Sequence, residues 1–133
     1  MGSRQLLAVA LCALLPGSAA LALTTVMDGD WHDPATWGGV VPGAGETAVV
    51  NHSLSLASST AALSGATING TLTFDGWNTI LNAGSVAVYG TVTHNVNTDT
   101  NGGDGWTPDN RVYIQAGSVL VASGGAINVD AKG

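Results

Sequence analysis

From Thr47 onward, apolar residues recur at every second position in short runs. The pairs are Leu54/Leu56, Leu72/Phe74, Val86/Val88, Val112/Ile114, Val119/Val121 and Ile127/Val129, with Ile68 and Val92 as single alternates. Period-two spacing predicts half-buried strands, because successive strand side chains leave on opposite faces. No window past residue 23 shows the spacing of an amphipathic helix. Proline is absent from these runs, and Gly, Asn or Ser stands between them, as turns require.

The runs also repeat at longer range. Asn69-Gly70-Thr71-Leu72-Thr73-Phe74 is echoed 20 positions later by Tyr89-Gly90-Thr91-Val92-Thr93-His94. Ala83-Gly84-Ser85-Val86 recurs as Ala116-Gly117-Ser118-Val119. A repeat near this length predicts one coil of a β-solenoid, each unit burying its apolar face on its neighbours. The expected fold is all-β: a short right-handed parallel β-helix with an N-terminal Trp-containing cap. A β-sandwich, which also has short strands at such spacing, is the alternative. Most turns lack the Asn-Gly or Asp-Gly pairs of hairpins, but Asn69-Gly70 has one and keeps the sandwich open.

The chain is organised around its stretch from Asp28 to Leu56. Leu23 to Met27 reads as a first strand, Asp28-Gly29-Asp30 as a turn, and Asp33-Pro34 as the start of another. Trp31 and Trp37 stand six residues apart, ahead of a Pro42–Gly45 turn. A solenoid exposes apolar side chains at its end unless something covers them. Two large rigid indoles would make such a lid. Sugar stacking on exposed indoles is the functional alternative.

Residues 1–22 read as a signal peptide. Arg4 gives a positive start, Leu6 to Leu15 is apolar, Pro16-Gly17-Ser18 breaks the segment, and Ala20-Leu21-Ala22 supplies small residues for cleavage. The apolar run is too short for a permanent membrane anchor. The predicted organisation is then 23–50 as cap and first strand, and 51–133 as coils continuing beyond the last residue. Val129 to Gly133 offers no second cap. Removal of the leader takes away Arg4 and Cys12, leaving two bases against nine acids, a net charge of −7. That balance excludes a nucleic-acid footprint and disfavours anionic lipid. An exported domain without cysteine must find stability in strand stacking or metal.

Asn95 to Asn110 breaks the rhythm with a largely polar stretch of sixteen residues that holds one tryptophan, Trp106. Loops of this length in compact domains are usually functional or disordered. Asn97-Thr98-Asp99-Thr100-Asn101-Gly102 resembles the opening of a calcium loop, with Asn in place of the first Asp. The closing Glu is missing, with Pro108 in its place and Asp109 next. The candidate metal set is Asn97, Asp99, Asn101, Asp104 and Asp109, with Ca2+ as the cofactor. A solvated Asn/Asp/Gly turn explains the same residues without metal. The candidate binding set is Asn101, Asp104 and Trp106. His32, His52 and His94 are too scattered for a zinc motif. Asp75 and Glu46 form no placed pair of carboxylates, and no nucleophile elbow or phosphate loop is present. No catalytic residue is assigned. Asn51-His52-Ser53 and Asn69-Gly70-Thr71 are glycosylation sequons.

Trp31-x-Asp33-Pro34-x-x-Trp37, the Pro42-Gly43 turn and the glycine-spaced strand pairs resemble the eight-glycine extracellular domain. The tail from Gly124 to Gly133 is similar to the first coils of large bacterial surface proteins that carry it. The resemblance covers residues 27–133. It implies a secreted or cell-surface β-helical module, with polysaccharide or another surface protein as partner and no inherited catalytic motif. Three functions follow as expectations. The first is a non-catalytic structural or adhesive module that contacts polysaccharide. The second is the N-terminal accessory part of a polysaccharide-degrading enzyme. The third is a subunit that self-associates end to end through open solenoid ends into a fibre or surface layer.

Overall fold

A computed structural model describes residues 22–99, 103, 105 and 107–130. The segment expected as a signal peptide, apart from Ala22, lies outside these residues. The described chain is all-β and holds no α-helix. One sheet contains β1 (Ala22–Thr24), β3 (Thr47–Val50), β5 (Leu63–Ile68), β7 (Leu81–Val88) and β9 (Ile114–Val121) in that spatial order. The second contains β2 (Gly29–Asp30), β4 (Ser53–Leu56), β6 (Thr71–Phe74), β8 (Thr91–His94) and β10 (Ala126–Ile127). The chain visits the two sheets alternately, and every strand pair is parallel.

Register turns the sequence pattern into columns. Val50, Ile68, Val88 and Val121 are successive partners in the first sheet. Leu54, Leu72, Val92 and Ile127 are successive partners in the second. The residues of these columns up to Val88 and Val92 are buried and belong to a single core shared by both sheets. Both repeats seen in the sequence are pairings: Thr71 lies beside Thr91, and Ala83 beside Ala116. Within β7 the inward positions run Leu81, Ala83, then Val86, Val88. Strict alternation would not allow a step of three, so the strand bends at Gly84-Ser85.

Asn69-Gly70 does not close a hairpin. It is a corner between β5 and β6, which belong to different sheets. Gly70 and Gly90 are there because adjacent corners nearly touch. A Cβ on Gly70 would lie 2.3 Å from the His52 carbonyl oxygen, and one on Gly90 2.0 Å from that of Gly70.

The amino end is closed by the two indoles. Trp31 follows the Asp30–Ser55 pair, which aligns it with Leu56 and Phe74, and it is fully buried. Trp37 is also buried, packs edge-on to Trp31 at 5.0 Å, and donates from Nε1 to the Trp31 carbonyl at 2.7 Å. A 3-10 turn over Pro34–Trp37 delivers Trp37. Asp33 caps it by accepting from the Ala35 amide, and Gly38 ends it in the left-handed region.

Two expectations need correction. The first strand is Ala22–Thr24 rather than 23–27. Gly29-Asp30, expected as a turn, is strand β2, held parallel to Leu54-Ser55. Val119, Val121 and Ile127 occupy inward columns but are 47%, 45% and 41% exposed, because no described strand lies beyond β9 and β10.

Candidate functional site

The outward face of the second sheet is built from hydroxyls. Period-two alternation that sends Leu54, Leu72 and Val92 inward sends Ser53/Ser55, Thr71/Thr73 and Thr91/Thr93 outward. Parallel register stacks them: Ser53 beside Thr71 beside Thr91, and Ser55 beside Thr73 beside Thr93. An open hollow of about 390 Å³ lies on this face, lined by Gly29, Ser53, Leu54, Ser55, Thr73 and Asn95. Its volume falls at the lower end of the range for small-ligand sites. None of its lining side chains is titratable. It offers hydroxyl and amide groups that donate and accept, and nothing that could move a proton near neutral pH.

The described residues on the two limbs of the 95–113 segment are tied together by their own polar groups. Asn97 is buried, and its Oδ1 accepts from the Asp109 and Asn110 amides, both at 2.7 Å. The Asp109 carboxylate accepts from the Thr98 amide at 3.0 Å, from the Thr98 hydroxyl, and from Asn110 Nδ2 at 3.1 Å. Thr98, chiefly through its hydroxyl, lowers the Asp109 pKa below its ordinary value of 3.8. Asp99 Oδ2 accepts from the Thr107 amide at 2.7 Å. Asn110 Oδ1 accepts from the Gly76 amide at 2.7 Å and so fastens the returning limb to the corner after β6.

Arg111 completes that fastening. Its guanidinium lies 4.5 Å from the Trp77 ring centroid and 4.2 Å from that of Tyr113, and its Nε donates to the Trp77 carbonyl. It is the only Lys or Arg among the described residues. With two aromatic rings against its guanidinium, it acts as a bolt between loop and corner.

The structure brings Asn97 and Asp109 of the candidate metal set into one network and sets Asp99 on the adjoining limb. Their oxygens named above accept from donors inside the loop. Asn101, Asp104 and Trp106 lie outside the described residues. Among the described residues, no cluster of three or more His, Cys, Asp or Glu could hold a metal. The three histidines each have a local partner: His32 with the Ser58 carbonyl, His52 with the Thr25 hydroxyl, and His94 with the Asn95 carbonyl.

Sequence reasoning missed both the hollow and the Trp77–Arg111–Tyr113 stack. The hollow's residues come from the cap and three different strands or their ends, so no local motif marks it. Its one signal was the hydroxyls alternating with the apolar pairs. No family model matches the chain, and no curated protein or solved structure matches it either.

Proposed function

We propose that this protein is a non-catalytic extracellular module, a short right-handed parallel β-helix of the eight-glycine type. Its hydroxyl-lined face contacts a neutral polysaccharide. The alternation of the chain between two parallel sheets, the common core and the bend inside β7 support the β-helix. The leader-like first 22 residues support export. The observation that carries the contact is the hollow at Ser53, Ser55, Thr73 and Asn95. Paired hydroxyls and an amide can exchange hydrogen bonds with sugar hydroxyls, and the site has no charge that must be desolvated first. The same lack of titratable groups favours holding over cleaving.

The test is affinity electrophoresis of the purified protein through gels containing soluble neutral glucans, mannans or xylans. At least one should retard the chain. Thr73→Lys, placed in the hollow and pointing outward, should abolish the retardation, whereas Thr67→Lys on the other sheet should not. Migration unaffected by every neutral glycan, or retardation that survives Thr73→Lys, would defeat the proposal.

A further inference from the structure

Hydroxyls are used differently in different parts of the molecule. On the first sheet, Thr47 and Ser64 pair with each other at 3.0 Å. Near the corners, Thr60 bonds the Ala61 carbonyl and Thr79 the Asp75 carbonyl, both at 2.8 Å. On the outward face of the second sheet, the hydroxyls of Ser53, Ser55, Thr71, Thr73 and Thr91 have no hydrogen-bond partner among the described residues, and Thr93 has only a 3.5 Å contact with the His94 carbonyl. These six stand in two columns, with one pair on each of β4, β6 and β8. Neighbouring strands set the rungs about 4.8 Å apart, and two residues of extended chain set the columns about 6.6 Å apart. The hydroxyl track is bounded on both sides. Asp30, the partner of Ser55, brings a carboxylate, and Ala126, the partner of Thr91, brings no polar group.

We infer that this track seats one extended β-1,4-linked glycan chain, lying across the strands with one sugar to each rung. This rests on the polysaccharide contact proposed above and names its linkage. A ligand lying along a strand would meet one pair of hydroxyls, whereas a ligand lying across the strands meets a pair on each of β4, β6 and β8. The rung spacing is close to the rise of one sugar in a fully extended pyranose chain, and the column spacing lets each ring reach a hydroxyl from either edge. β-1,4 linkage through equatorial positions gives such a straight ribbon. Successive rings in it are turned over, so each column meets alternate edges of the sugar. Ser and Thr hydroxyls donate and accept alike, and so tolerate that alternation. Thr at four of the six positions is restricted at χ1, so little rotamer freedom is lost on binding. An α-1,4-linked chain curls and leaves the face before it reaches every rung.

The experiment is isothermal titration calorimetry of the 133-residue chain with cello-, manno- and xylo-oligosaccharides of two to six sugars, against malto-oligosaccharides of the same lengths. In at least one β-1,4 series, affinity should rise about tenfold from two sugars to three, as two further hydrogen bonds of modest net strength would give. It should change little beyond three. The malto-oligosaccharides should show no such rise and should bind about tenfold more weakly at three sugars and longer. Thr91→Val/Thr93→Val, isosteric and confined to β8, removes one rung. It should abolish the gain from two sugars to three while circular dichroism keeps the native spectrum. Thr67→Val on the other sheet should change nothing. Equal affinity for the two linkages, affinity independent of length, or a gain that survives the double variant would overturn the inference and leave the broader polysaccharide contact standing. Failure of every oligosaccharide to bind would overturn it too, and retardation in the glycan gels would then show whether the broader contact survives.

Discussion

Gly90 lies so close beneath Gly70 that a Cβ on it would stand 2.0 Å from the Gly70 carbonyl oxygen. The contact is backbone against backbone, so no side-chain rearrangement can relieve it. Gly90→Ala should therefore cost about 3 kcal/mol or more, at or beyond the upper end for overpacking. Gly65→Ala is the control, because its nearest neighbour would be a Ser85 hydroxyl at 3.4 Å. Urea unfolding of both variants would measure the contrast. Equal loss in the two would mean that the corners are not stacked.

Trp31→Ala should be among the most damaging single changes. The indole is fully buried over the Leu56 column, and its removal leaves a cavity worth about 3–5 kcal/mol. Trp37→Phe keeps most of the packing but loses the bond to the Trp31 carbonyl, a cost of about 1–2 kcal/mol. Thermal unfolding should rank the variants in that order.

Much of this architecture was legible, for a physical reason. Inward positions such as Leu72/Phe74 and Val86/Val88 follow from strand alternation alone. The 20-residue echo at Gly70 and Gly90 survives in sequence because the backbone approach excludes every other residue. Asn69-Gly70 misled because the pair is also a hairpin signal, and only the sheet to which β6 belongs tells the two apart. Gly29-Asp30 misled because a two-residue strand has no periodicity to detect. The hollow was illegible because Gly29, Ser55, Thr73 and Asn95 meet only through register between strands far apart in sequence. Arg111 gave a faint signal as one of three Lys and Arg in the chain, but its place between Trp77 and Tyr113 depends on a turn 34 residues earlier.

Asp109 sets an acid limit on the 95–113 segment. Its pKa is lowered when folded, so its contribution is fully present above the ordinary carboxylate value of 3.8 and is lost as pH falls through the folded value below that. The melting temperature of the native protein should exceed that of Asp109→Asn above pH 5, and the gap should close below pH 3.8. A gap constant across that window would show that the Thr98 bonds do not favour the charged form.

The 95–113 segment should hold without added cation, since Asn97, Asp99 and Asp109 bond to donors within the loop. Melting curves in chelator and in millimolar calcium should coincide. A rise of several degrees with calcium would assign these oxygens to a metal instead.

The most direct check on the parallel strand pairing is a pair of engineered disulfides. The one cysteine is Cys12, so the pairs are made in a Cys12→Ser background and introduced thiols have no native competitor. Thr73 and Thr93 are register partners on the outer face, and parallel neighbours stand about 4.8 Å apart, within disulfide reach. Thr73→Cys/Thr93→Cys should oxidise quantitatively in the folded protein, and Thr73→Cys/Thr91→Cys should remain reduced. Efficient closure of the second pair with failure of the first is the antiparallel pattern, and it would contradict the account.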